Sequence, residues 1–192
     1  MSFGKPVARS WTVKEYYRLA DLGMFRGQRV ELMEGVIVKM APQKNFHFIG
    51  IDLGRHALEA AFGPGHWVRI QSPLHLSRRS APEPDLAVVP GTSRSYAATN
   101  HPTSALLIAE VSDTTLSYDR RRKASLYARA GIADYWIVDL IHRRLEIRRN
   151  PIPDATQRYG FRYADLTILD PTDMATPLAA PQANILVADL LP

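Results

Sequence analysis

Cysteine is absent from the 192 residues, which removes disulfide cross-links, thiolate zinc centres and cysteine nucleophiles from consideration. That absence agrees with a reducing compartment, so a cytoplasmic location is expected. Long apolar runs are missing too. Stretches such as ALLIA (105–109) are far too short to cross a bilayer, and the opening MSFGKPVARSWTV has none of the apolar core of a signal peptide. No membrane association is expected. The six histidines form no His-x-x-x-His pair, and no Gly-x-Ser-x-Gly elbow occurs, which argues against histidine zinc sites and serine hydrolase chemistry. Internal repeats and low-complexity tracts are also lacking, and no small-molecule cofactor is expected.

What is present suits one sizeable core. Hydrophobic residues make up 46% of the chain, and its 14 prolines are scattered rather than massed in a linker, so residues 1–192 are expected to form a single domain. The net charge of +5 and pI near 9.6 allow an anionic partner such as nucleic acid without requiring one. Placement says more than total. DRRRK (119–123) and RRLEIRR (143–149) concentrate positive residues late in the chain, as a phosphate-contacting patch or as a merely solvated face.

Periodicity gives the elements. Thr12 to Leu22, with Glu15 three residues after Thr12 and Gly23 at the end, reads as a capped helix. Two extended segments turn around Glu34 and Gly35, and a second helix runs from Phe46 to Phe62 before Gly63 and Pro64. Short apolar or alternating runs follow: HWVRIQSPLHLS, PDLAVVP and ALLIAEVS, then a helix from Tyr118 to Ala130, then DYWIVDL and RRLEIRR. The expected fold class is α/β, a mixed central β-sheet flanked by helices. The Leu140–Arg144 turn is short enough for a hairpin, and the helix between Glu110 and Trp136 is what a parallel crossover needs. The tail from Met174 onward is expected to lie across the outside of the core.

One residue in this pattern needs a partner. Glu110 ends an apolar strand, and a carboxylate at the edge of a core costs free energy unless a cation or donors balance it. Two candidates present themselves. If the strands carrying Asp85 and Glu110 are neighbours, about 4.8 Å apart, the two carboxylates could share one hard cation. Alternatively, Lys123 shares the inward stripe of Leu126, Tyr127 and Ala130, while Arg121 and Arg122 project elsewhere. Its ammonium could then reach Glu110, as a catalytic group or as a structural ion pair. DRRRK, read as a first helical turn, places positive charge against the helix dipole, tolerable if phosphates approach that end. Tyr135 and Trp136 read as core aromatics.

The order Pro84-Asp85, then Glu110-Val111-Ser112, then Lys123, then GIADYWIVD (131–139) resembles the Uma-type restriction endonuclease family, a branch of the PD-(D/E)XK nuclease superfamily. The likeness extends from VELMEG (30–35) through YDRRRKASLYARAG (118–131) to VADLLP (187–192). It implies a restriction-endonuclease-like core that hydrolyses DNA phosphodiester bonds with Mg²⁺, Mn²⁺ substituting, commonly as a homodimer. Asp85, Glu110 and Glu31 would hold the metal, with the Val111 carbonyl, and Lys123 would join the catalytic set. The superfamily pattern places lysine where this chain has Ser112; Lys123 looks like its migrated replacement. The early glutamate of the family falls on Glu31 rather than Glu34, although periodicity does not separate the two. Arg120, Arg121 and Arg122 are the candidate DNA contacts, and His47 is a supporting or a purely structural histidine. Lys123→Ala and Asp85→Ala should each cost about two or three orders of magnitude in rate and leave the fold intact. The alternative is a catalytically inactive nuclease fold that binds nucleic acid or a protein partner; a third reading is a structural, self-associating domain.

Overall fold

Thr12 caps α1 (Val13–Asp21) through a reciprocal capping box with Glu15 in the computed structural model, which describes residues 8–98 and 101–192. The first seven residues of the stretch read above against a signal peptide lie outside the described residues. The chain then forms a hairpin, β1 (Val30–Met33) and β2 (Val36–Lys39). Its two turn residues, Glu34 and Gly35, have φ of 47° and 81°, as a tight hairpin turn demands.

A mixed six-stranded sheet carries the rest. Its strands are β3 (His66–Ile70), β4 (Leu86–Pro90), β5 (Leu107–Ser112), β6 (Asp134–Asp139), β7 (Arg144–Pro153) and β8 (Phe161–Leu169), in that spatial order. Only β5 and β6 run parallel; a helical crossover joins them, as parallel neighbours require. Every residue of β5 and β6 is buried, which suits central strands covered on both faces. Alternate side chains go to opposite layers. Leu107, Ala109, Val111, Trp136 and Val138 meet α2 (Asn45–Phe62), whereas Ile108, Tyr135 and Ile137 meet Tyr127 and Ala128 of the crossover helix. Trp136 and Tyr135 are thus core aromatics, 1% and 0% exposed.

Helix α2 lies unusually close to the sheet because of two glycines. A methyl group on Gly50 would sit 2.9 Å from Val111 Cγ1, and one on Gly54 would sit 2.7 Å from Leu86 Cδ1. Both contacts fall on the strands that hold Glu110 and Asp85, so this approach brings the first turn of α2, with His47, over the same strand ends.

The structure corrects three expectations. The crossover helix begins at Leu116 rather than Tyr118 and has three parts: α3 (Leu116–Tyr118), a π-helical turn (Asp119–Lys123) and α4 (Ala124–Arg129). DRRRK is therefore its second turn, and the argument from a charged first turn falls. The segment after Pro151, to which no element was assigned above, continues β7 and supplies all of β8. Most of β8 is exposed, which weakens its alternation. The tail does not lie outside the core. A small β9 (Met174–Ala175) and β10 (Ile185–Leu186) pair, and Ile185, Val187, Leu190 and Leu191 are buried in the cluster under α2. Burying side chains of this size contributes about 1.5–3 kcal/mol each. Among the described residues no helix is long and apolar enough to cross a membrane.

Candidate active site

Strands β4 and β5 pair with Leu86 opposite Ala109, so the next step of the register sets Asp85 opposite Glu110. The pairing ends there and both carboxylates turn to one small cavity of about 80 Å³, lined also by His47, Gln71, Asp119 and Lys123. Asp85 is held on three sides: Oδ2 accepts from the Val111 N–H at 3.0 Å, Oδ1 accepts from Gln71 Nε2 at 3.0 Å, and His47 Nε2 lies 3.4 Å from Oδ1. Glu110 Oε1 accepts from Lys123 Nζ at 2.9 Å and from the Tyr127 hydroxyl at 2.6 Å. Its Oε2 has only a long contact with the Asp85 N–H, 3.4 Å. The partner sought for Glu110 is thus, in the first instance, Lys123.

Lys123 is 2% exposed and also lies 3.7 Å from Glu31 Oε2. Glu31 reaches it from β1, where it is wholly buried; Oε2 accepts from the Glu83 N–H, and among the described residues Oε1 has no hydrogen-bond partner. Glu31 does not itself line the cavity. Glu34 is elsewhere, held by Ser80 Oγ at 2.7 Å and Arg129 Nη1 at 2.9 Å. Of the two glutamates that the sequence left open, geometry brings Glu31 to the site.

Asp119 completes the group and had been hidden inside the basic run. Its Oδ2 accepts from Thr115 Oγ1 at 2.7 Å and from Ser112 Oγ, so Ser112, at the superfamily's lysine position, anchors a carboxylate instead. The four-residue spacing of Asp119 and Lys123 was the available signal. Gln71 and the Tyr127 hydroxyl were also not anticipated as site groups; no spacing marks them.

The electrostatics are unbalanced. Glu31, Asp85, Glu110 and Asp119 are all buried, against one buried ammonium and the His47 imidazole; Arg29 and Lys44, which also line the cavity, are exposed, and Arg29 faces Glu83 at 3.8 Å. Burial would lower Lys123, but Glu110, Glu31, Asp119 and Asp85 outweigh it and hold the ammonium well above its ordinary value. Burial pushes Glu110 well up despite Lys123, and Asp119 up as well. Lys123 is thus held as a charged ammonium that four carboxylates share, and Asp85 and Asp119 add to the effect of burial on Glu110. Asp85 shifts down: burial opposes this, and His47 overcomes it. His47 is raised by Asp85 against the effect of burial.

Hard oxygen donors in a charge-deficient cavity suit a divalent cation such as Mg²⁺. Among the described residues no three His, Asp or Glu side chains converge as a ready ligand set. Magnesium needs none, because it binds through one or two carboxylates and fills its remaining positions with water and phosphate oxygens. Asp85 and Glu110 meet that requirement, and a cavity of about 80 Å³ has room for several waters.

The arginines separate. Arg121 and Arg122 are exposed, Arg122 with its guanidinium 5.9 Å from the Tyr118 ring centre. Arg120 instead binds Glu146 and, at 3.1 Å, Asp139. RRLEIRR is also committed internally: Arg144 and Arg148 join Asp139 and Glu146, and Arg149 meets Asp134 at 2.8 Å. That run is neither a solvated face nor a free phosphate-binding stripe.

The family model Uma2, described as "Putative restriction endonuclease", matches residues 13–188. Among solved structures, one described as a "putative nuclease belonging to DUF820" from Anabaena variabilis ATCC 29413 superposes with a TM-score of 0.66 over 94% of this chain and 97% of its own, at 13% identity. At that identity the likeness speaks for the fold, an α/β nuclease-like core. A search of curated proteins found no match.

Proposed function

The chain belongs to the Uma2 restriction endonuclease family, and from that membership we propose that it is a Mg²⁺-dependent endonuclease that hydrolyses DNA phosphodiester bonds. The observation that carries the metal is the charge imbalance: four buried carboxylates around one lysine, with Asp85 and Glu110 face to face at the cavity. Asp85 and Glu110 would hold the ion, with the Val111 carbonyl beside them. When bound, the ion neutralises charge building on the phosphoryl and leaving oxygens and makes a water easier to deprotonate.

The chain's own groups orient this chemistry. The Val111 N–H and Gln71 fix the plane of the Asp85 carboxylate. Lys123 and Tyr127 both bind Glu110 Oε1, leaving Oε2 as the oxygen available to the cavity. Lys123 carries three N–H donors. Glu110 takes one at 2.9 Å, while Glu31, 3.7 Å away, attracts the ammonium from beyond hydrogen-bond reach, so the remaining donors can meet a water or a phosphate oxygen. Glu31 acts through Lys123, as the group that holds the ammonium in place. His47, raised toward its charged form by Asp85, adds positive charge where a phosphate would enter. Arg121 and Arg122 would meet the DNA backbone, whereas Arg120, already bound to two carboxylates, is withdrawn from that role.

The test is to titrate the wild type and Asp85→Asn with Mg²⁺ and Mn²⁺ by calorimetry and incubate both with supercoiled plasmid and single-stranded DNA. The expected result is metal binding and nicking in the wild type, with the cutting rate reduced about 10²–10³-fold in the variant. No metal binding in the wild type would refute the proposal. Salt-dependent DNA binding without cutting would favour the inactive, nucleic-acid-binding reading. The homodimer implied by the family likeness is part of the proposal and is checked by light scattering.

A further inference from the structure

A second cavity, of about 550 Å³, shares no lining residue with the acidic one. Arg69 of β3 forms its floor. Arg69 is 4% exposed, and among the described residues no carboxylate pairs with it, although a buried charge ordinarily requires a partner. Among the described residues its hydrogen-bond contacts gather at one nitrogen: Nη2, with two N–H groups, lies 2.5 Å from Ser72 Oγ, 3.0 Å from the Pro73 carbonyl and 3.1 Å from His101 Nδ1. Among the described residues its buried Nε has no hydrogen-bond partner.

Among the described residues no carboxylate lines this cavity. Burial, and then the nearby positive charge, lowers both His75 and His101, so these rings are neutral. The walls are aromatic: the Arg69 guanidinium lies 4.7 Å from the Trp67 ring centre, and Tyr17 packs 5.4 Å from His75 and 6.1 Å from His101. An uncompensated guanidinium, an imidazole N–H and flat rings in a cavity far larger than an ion match a phosphate attached to a base.

We propose that this cavity binds the phosphomonoester of a nucleotide, with the Arg69 guanidinium as its counter-charge. The nucleotide comes either free or as the 5′-phosphorylated end of a strand. The assignment does not depend on the acidic cavity being catalytic.

The test is calorimetry in EDTA, which removes divalent ions, with inorganic phosphate, deoxyadenosine, dAMP, and a tetranucleotide with and without a 5′-phosphate. dAMP should bind more tightly than phosphate or deoxyadenosine. Arg69→Gln should weaken it about ten- to a hundredfold, the worth of one charge-assisted hydrogen bond, and Asp85→Asn should leave it unchanged. A tetranucleotide that binds only when phosphorylated identifies strand ends as the source; binding by dAMP alone identifies free nucleotide. If Arg69→Gln does not fold, His101→Ala, at the rim, should weaken dAMP severalfold. Equal affinities for phosphate and dAMP, loss of binding in Asp85→Asn, or dAMP affinity unchanged in the Arg69 or His101 variant would each overturn the proposal.

Discussion

Removing Lys123 is the most informative perturbation of the acidic cluster. Its ammonium lies 2.9 Å from Glu110 and 3.7 Å from Glu31, and all three side chains are at most 3% exposed. Lys123→Met keeps most of the stem and deletes the charge, leaving two buried carboxylates to face each other. Breaking a buried pair in this way costs about 3–5 kcal/mol. For a chain of this size each kcal/mol lowers Tm by about 2–4 °C, so Tm should fall by about 6–20 °C. Burial this complete therefore revises the expectation that truncating Lys123 spares the fold. Glu110→Gln in the Lys123→Met background removes the orphaned charge and should recover much of the loss, giving a coupling of about 1–3 kcal/mol in the double-mutant cycle. Thermal and urea unfolding of the four proteins, all in EDTA, supply the numbers. A Lys123→Met protein with wild-type Tm would show that the carboxylates are neutral without it, and the charge-deficit argument for a cation would fail.

Three other outcomes follow from the geometry. Glu146 is held below its ordinary 4.5, since hydrogen bonds from Arg120 and Arg148 outweigh burial. Its stabilisation is therefore complete above pH 4.5 and is lost as pH falls through the depressed value. Urea unfolding between pH 6 and 3 should show a shallower acid loss in Glu146→Gln than in the wild type, and identical slopes would contradict the ion pairs. Gly54→Ala places a methyl 2.7 Å from Leu86 Cδ1, and such overpacking costs about 1–3 kcal/mol, measurable as a lower urea midpoint; an unchanged midpoint would show that α2 has room to shift. Replacing both Arg121 and Arg122 by Ala should reduce the salt dependence of DNA binding by about one phosphate contact each, while an Arg120→Ala protein should lose stability instead. Equal effects on binding from all three would refute the separation of their roles.

The strands from β3 to β7 and the opposition of Asp85 and Glu110 were legible because each run has strand periodicity and sequential strands are usually neighbours, whereas β8, mostly exposed, was not. The inward Lys123 was legible because its neighbours at three and four residues are apolar. Asp119 was not: beside three arginines it reads as part of a charged surface, and only the hydroxyls of Ser112 and Thr115 reveal that it turns inward. Arg120 failed for the complementary reason, since its carboxylate partners lie on β6 and β7, about 20 residues or more along the chain, and sequence gives no hint of that contact. The buried tail was read as peripheral because its apolar residues are spaced by prolines and alanines with no single period.

The π-turn at Asp119–Lys123 makes the site depend on a count of residues. A π-turn amounts to an α-helix holding one extra residue, and each residue of an α-helix advances it by about 100°. Deleting Arg121 would let the helix relax to uniform winding, and the segments on either side would then be out of phase by about that angle. Asp119 could stay beside Ser112, or Lys123 beside Glu110, but not both. The extra residue works as a phase-setting spacer, so that a deletion on the solvent side would dismantle the acidic cluster without touching any of its members.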